Sequence, residues 1–173
     1  ARQAVASLKK GRRIEELEQF ALNDSMTGFY NRNAYDYFIY NEKNIKNYMV
    51  VTFDLNNLKM CNDNYGHSSG DAYIIHSAHI IETTFDRFGK CYRIGGDEFC
   101  CLISDAAEFQ IERFIQKMQQ DIAILNNKNI IPTEVGIACG YALATPDDAD
   151  IEKVRERADE MMYHNKKVLK GLI

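Results

Sequence analysis

The chain has 173 residues, 46% of them hydrophobic and 27% charged, with a net charge of −4. That length predicts a single domain with its own core, and the composition excludes a disordered chain. No run approaches the ~18 apolar residues of a membrane span, no basic and apolar leader marks a secretory signal, and the acidic balance argues against non-specific binding to nucleic acid or an anionic membrane.

The cysteines are Cys61, Cys91, Cys100, Cys101 and Cys139. An odd number without a CxxC pair fits neither a disulfide framework nor a zinc site. Most lie in apolar runs, so the expectation is small buried thiols in a reducing cytoplasm.

Residues 1–22 are polar and charged, with Ile14, Leu17 and Ala21 at helical spacing, and predict an amphipathic leader helix or stalk ahead of a domain spanning 23–173. Asp24 to Asn31 is turn-rich, and a helix is predicted over Arg32–Tyr40 with Asn31 as its N-cap. Met49–Phe53 is apolar and β-branched, the pattern of a buried strand ending at Asp54. Asp71–Phe88 has a helical apolar period. Lys90–Ile94 and Phe99–Ile103 flank Gly95-Gly96-Asp97-Glu98, which reads as a β-hairpin. A helix over Ala106–Leu125, a strand over Glu134–Ala142 and a helix over Asp148–Lys170 complete the chain. Hairpin-linked strands mixed with helices predict an α+β domain with a mostly antiparallel sheet flanked by helices.

Asp54 at a strand end and Asp97-Glu98 at a hairpin tip are the candidate carboxylates. Such groups at strand ends converge on one sheet edge, where a pair can hold Mg²⁺ against substrate phosphates. Between them lie Asn56, Lys59, Asn62, Asp63, His67 and Asp71. Asn and Asp can pair with the edge of guanine, and lysine is a phosphate partner. Each residue also has an ordinary use as a turn former, cap or surface charge.

Four ordered motifs resemble the GGDEF domain family. Asp24-Ser25-Met26-Thr27-Gly28-Phe29-Tyr30-Asn31-Arg32 is similar to its D-x-L-T-G-L-x-N-R motif, and Asp54–Asp71 to its D-x-D/N-x-x-K-x-x-N-D-x-x-G-H-x-x-G-D segment. Arg93-Ile94-Gly95-Gly96-Asp97-Glu98-Phe99 carries the signature, and Ala158–Lys166 resembles the closing A-D-x-A-M-Y-x-A-K helix.

The resemblance implies a palm-like fold related to class III nucleotide cyclases. It implies diguanylate cyclase activity, in which a homodimer joins two GTP into cyclic di-GMP. Asp54, the Leu55 backbone carbonyl and Asp97 would hold Mg²⁺ or Mn²⁺, two ions per site, and Asp97 or Glu98 would assist loss of the 3′-hydroxyl proton. Asn62 and Asp71 match positions that read guanine. Lys59, Lys166 and Lys170 match phosphate contacts, Gly95 and Gly96 would let the backbone approach the α-phosphate, and His67 lies in the nucleotide loop.

Asn56 stands where the commoner form has a second aspartate, and Leu169-Lys170 replace Gly-Arg. The family's R-x-x-D product-inhibition spacing is absent at Asp86-Arg87-Phe88-Gly89. An upstream sensory domain and a cytoplasmic location, within a larger and even membrane-bound sensor, also follow from the resemblance. The competing readings are a silent GTP- or cyclic-dinucleotide-binding module and a cyclase making a mixed GMP–AMP product. The carboxylate of Asp71 speaks against the second.

Overall fold

The computed structural model describes residues 21–42, 46–106 and 110–169. Of the predicted leader helix only Ala21 and Leu22 fall within that range, and both are helical; residues 1–20 and Lys170 lie outside the described residues.

Asn31 opens the domain by joining two segments. Its side-chain oxygen accepts from the Ala34 amide at 3.0 Å, capping α1 (Arg32–Asn41), while its side-chain nitrogen donates to the Ala21 carbonyl at 2.9 Å. The cap satisfies an amide that the first helical turn leaves without a partner.

The sheet consists of β1 (Met49–Leu55), β2 (Gly89–Arg93), β3 (Glu98–Ile103) and β4 (Ile137–Leu143), in the order β2-β3-β1-β4 with every pairing antiparallel. Alternation along β1 divides the core. Val51, Phe53 and Leu55 face α3 (His67–Phe85) and α4 (Ile111–Asn127), where Ile74, Ile81, Phe85 and Met118 pack. Val50 faces the other way, with Tyr92, Cys100 and Leu102, against Tyr35 of α1 and Ile151, Val154 and Ala158 of α5 (Ile151–Leu169). The result is a sheet between two helical layers, the predicted α+β architecture.

Several boundaries differ from expectation for local reasons. A short helix, α2 (Leu58–Tyr65), stands where no element was predicted; only Leu58 and Cys61 of it are buried, too few to show a period. Gly66, at φ 82°, turns the chain directly from α2 into α3, which therefore begins before Asp71. β4 begins only at Ile137 because Val135 is held by Asn126 and Gly136 by Tyr73.

The expectation of five free thiols is corrected at one pair. Cys91 and Cys101 are directly opposed in the β2–β3 register, 4.3 Å apart at Cα, and are joined as a disulfide. Cys61, Cys100 and Cys139 are free and buried. Cysteine usage therefore does not argue for a reducing compartment. No helix among the described residues is long and apolar enough to cross a membrane.

Candidate active site at the β1–hairpin edge

Asp54 is the penultimate residue of β1, paired with Glu98 on one side and Ala138 on the other. Its carboxylate accepts from the Lys166 ammonium of α5, so both groups are held largely out of solvent. The next residue, Leu55, donates its amide to the Asp97 carbonyl at 3.0 Å. That bond brings the hairpin acid beside the end of β1. Asp54, Leu55 and Asp97, the predicted metal residues, therefore share one sheet edge.

The hairpin tip is fastened twice. Within it, the amides of Ile94 and Gly95 both donate to the Glu98 carbonyl, at 3.0 and 3.3 Å. From outside, Arg93 donates to the Gly96 carbonyl at 2.8 Å and to the Asp24 carboxylate at 3.1 Å. Asp24 in turn accepts from the Thr27 amide at 2.9 Å and the Thr27 hydroxyl at 2.7 Å. Burial alone would raise the Asp24 carboxyl, but the Thr27 bonds and then Arg93 outweigh it and hold it below its ordinary value.

The two signature glycines do different things, and neither adopts a positive φ. A Cβ on Gly95 would lie 2.6 Å from Oε2 of Glu98, whose carboxylate folds back over the hairpin. A Cβ on Gly96 would meet nothing within 4 Å. Gly95 thus makes room for a side chain of its own hairpin, which the sequence reading did not anticipate.

Asn62 on α2 and Asp71 on α3 are brought together by the turn at Gly66. The Asn62 side chain fills the space a Cβ on Gly70 would occupy, next to Asp71. Asp71, Lys59 and His67 are exposed. Among the described residues the side chains of Lys59 and His67 make no hydrogen bond, so both are open to a ligand. Behind the hairpin a cavity of about 260 Å³ is lined by Glu98, Arg155, Asp159 and Tyr163 among others.

Among the described residues no three His, Cys, Asp or Glu side chains cluster tightly enough to enclose an ion. Two carboxylates and a carbonyl are nonetheless a suitable donor set for Mg²⁺, which prefers hard oxygens and is commonly held by one or two carboxylates together with substrate phosphates. Sequence reasoning assigned no role to Arg93, Thr27, Gly70 or Tyr73. The first three belong to quoted motifs, and that was the available signal; Tyr73 gave none.

The family model described as "Diguanylate cyclase, GGDEF domain" matches residues 21–170. The chain is 31% identical over 157 residues to diguanylate cyclase DgcN of Escherichia coli K12, covering 87% of this chain and 38% of that protein. It is 30% identical over 161 residues to the cyclic di-GMP phosphodiesterase PdeR of the same organism, covering 91% and 24%. Among solved structures, the coiled coil and GGDEF domain of DgcB from Caulobacter crescentus, in complex with c-di-GMP, superimposes with a TM-score of 0.81 at 22% identity, covering 95% of this chain and 91% of that one. The chain spans only 38% and 24% of these two curated relatives. The family match, with the signature hairpin seated beside Asp54, places this chain in the GGDEF diguanylate cyclase domain family.

Proposed function

We propose that this chain is the catalytic domain of a diguanylate cyclase that condenses two GTP into cyclic di-GMP. The observation that carries the reading is the Leu55–Asp97 hydrogen bond, which sets an intact signature hairpin beside the Asp54 carboxylate. In the reaction the 3′-hydroxyl oxygen of each GTP bonds to the α-phosphorus of the other. The bond from that phosphorus to the β-phosphate bridge breaks, and two pyrophosphates leave. Asp97 or Glu98 takes each hydroxyl proton. Because each domain holds one GTP, both bonds form only between two copies facing each other, so the working unit is a homodimer.

Asp54, the Leu55 carbonyl and Asp97 would hold Mg²⁺ or Mn²⁺. When bound, the ions supply neutralisation of phosphate charge and a lowered pKa for the attacking hydroxyl. Lys59, Lys166 and Lys170 neutralise the remaining triphosphate charge. Asp71 accepts from guanine N1–H and N2–H, a pattern adenine cannot offer, and a carboxylate left unpaired is what rejects the wrong base. Gly96, with open space before it, lets the backbone approach the α-phosphate. An upstream sensory segment acting through residues 1–22, and residence in the cytoplasm where GTP is available, complete the reading.

Phosphorus NMR of the purified chain with GTP and Mg²⁺ tests it. The expected spectrum gains pyrophosphate and a symmetrical phosphodiester, with no GDP. Bound but unreacted GTP at every protein concentration would instead support a silent binding module.

A further inference from the structure

We infer that Tyr73, resting on the cyclase reading above, is a positioning residue that locks the proposed metal loop to the helix carrying Asp71. Tyr73 lies on α3 two residues beyond Asp71 and is fully buried. Its hydroxyl donates to the Asn56 carbonyl at 2.7 Å and accepts from the Gly136 amide at 2.7 Å. The Asn56 amide closes the ring of contacts by donating to the Gly136 carbonyl at 2.8 Å.

These bonds determine where the Leu55 carbonyl points. A trans peptide is planar, with its C=O and N–H directed oppositely. Since the Asn56 N–H is held on Gly136, the Leu55 C=O of the same plane faces away from β4. The plane stays put because Tyr73 holds both of its flanks, the Asn56 carbonyl and the Gly136 amide. On the other side the Leu55 amide is anchored to the Asp97 carbonyl at 3.0 Å. The chain then leaves through Asn57 in the left-handed region, at φ 62°, a conformation that persists only where neighbours enforce it.

A phenylalanine would fill the same apolar space. A buried hydroxyl is costly unless bonded, so its use here is the bonds it makes. Burial pushes that hydroxyl up to about 12, and it keeps the hydrogen it donates throughout the neutral range. Tyr73 therefore joins Asp71, proposed to read the base, to Leu55, proposed to hold the ion.

The test compares Tyr73→Phe with Tyr35→Phe, which removes a different buried tyrosine's bond, to Glu152 across the opposite core. Mn²⁺ is titrated into each protein with 3′-deoxy-GTP, which lacks the nucleophile, and free Mn²⁺ is read by electron paramagnetic resonance. The expected result is metal half-saturation raised about tenfold in Tyr73→Phe, in the range for loss of a group that orients metal ligands, and unchanged in Tyr35→Phe. An unchanged value in Tyr73→Phe, or an equal shift in both, overturns the assignment. The readout needs no turnover, so a wild-type chain that makes no cyclic dinucleotide overturns the cyclase reading separately. Should Tyr73→Phe fail to fold, amide exchange in the wild type decides: a Gly136 amide as protected as the β1 core supports the role, and rapid exchange there refutes it.

Discussion

Arg93 holds the Asp24 carboxylate at 3.1 Å with one guanidinium nitrogen and the Gly96 carbonyl at 2.8 Å with the other. The turn that precedes α1 is thereby tied to the tip of the signature hairpin. A displacement of Asp24 is felt at Gly96 through a single side chain.

Arg93→Ala should release both ends of this tie. Leaving a part-buried carboxylate and a carbonyl without their partner costs about 1–3 kcal/mol, measurable as a lower urea midpoint. Cyclase turnover should fall about a hundredfold, the scale expected when reacting groups shift by an ångström. Arg93→Lys should not rescue it, because a single ammonium nitrogen cannot stand at both positions that the two nitrogens of the planar guanidinium fork occupy.

The same tie predicts a pH dependence. An unfolded aspartate titrates near ~3.9, while Asp24 in the fold lies lower: burial raises it, but Thr27 and then Arg93 more than offset that. Its stabilisation is complete above the unfolded value and is lost as pH falls through the folded one. Asp159 shifts the opposite way, raised by burial against the pull of Arg155, so its ionised form opposes folding as pH rises. Urea unfolding of wild type and Asp24→Asn between about pH 5 and pH 2.5 should show the difference between them shrinking as the solution becomes more acidic. A constant difference would contradict the Asp24 account.

Gly70→Ala should act on binding more than on folding. Alanine is the better helix former by about 0.5–1 kcal/mol, but its methyl would take the space of the Asn62 side chain. The KM for GTP should rise about tenfold, the effect of losing one base contact worth about 1.4 kcal/mol. Adding Asn62→Ala to Gly70→Ala should cost little more than Asn62→Ala alone, since the two share one interaction.

Gly140→Ala tests how α5 is seated. The backbone of Ala158 and Met162 crosses directly over Gly140, so a methyl there must push the helix outward. The expected cost is about 1–3 kcal/mol, as for other overpacked sites. The same shift would carry Lys166 away from Asp54, so turnover should fall as well.

What the sequence made legible was local. Asn31 reads as a cap because its partner is three residues away, and the hairpin reads as a turn because both of its strands adjoin it. The α2 helix escaped notice because only two of its residues are buried and Gly66, rather than a polar cap, separates it from α3. The Arg93–Asp24 tie spans 69 residues and the Tyr73–Gly136 bond 63, and nothing in spacing foretells either. The Cys91–Cys101 pairing likewise depends on strand register, which fixes which residues face each other. The candidate carboxylates were legible through their motifs, whereas the contacts that aim them were not.

The most direct test of the central claim is the rate of cyclic di-GMP formation from GTP and Mg²⁺ by the wild-type chain and Asp97→Ala, followed by chromatography over a range of protein concentrations. The account predicts that the wild-type rate per chain rises with concentration, as a reaction between two facing copies requires, and that Asp97→Ala, folded to the same extent, makes no product. A folded wild-type chain that yields no cyclic di-GMP even when fused to a dimerising coiled coil would contradict it.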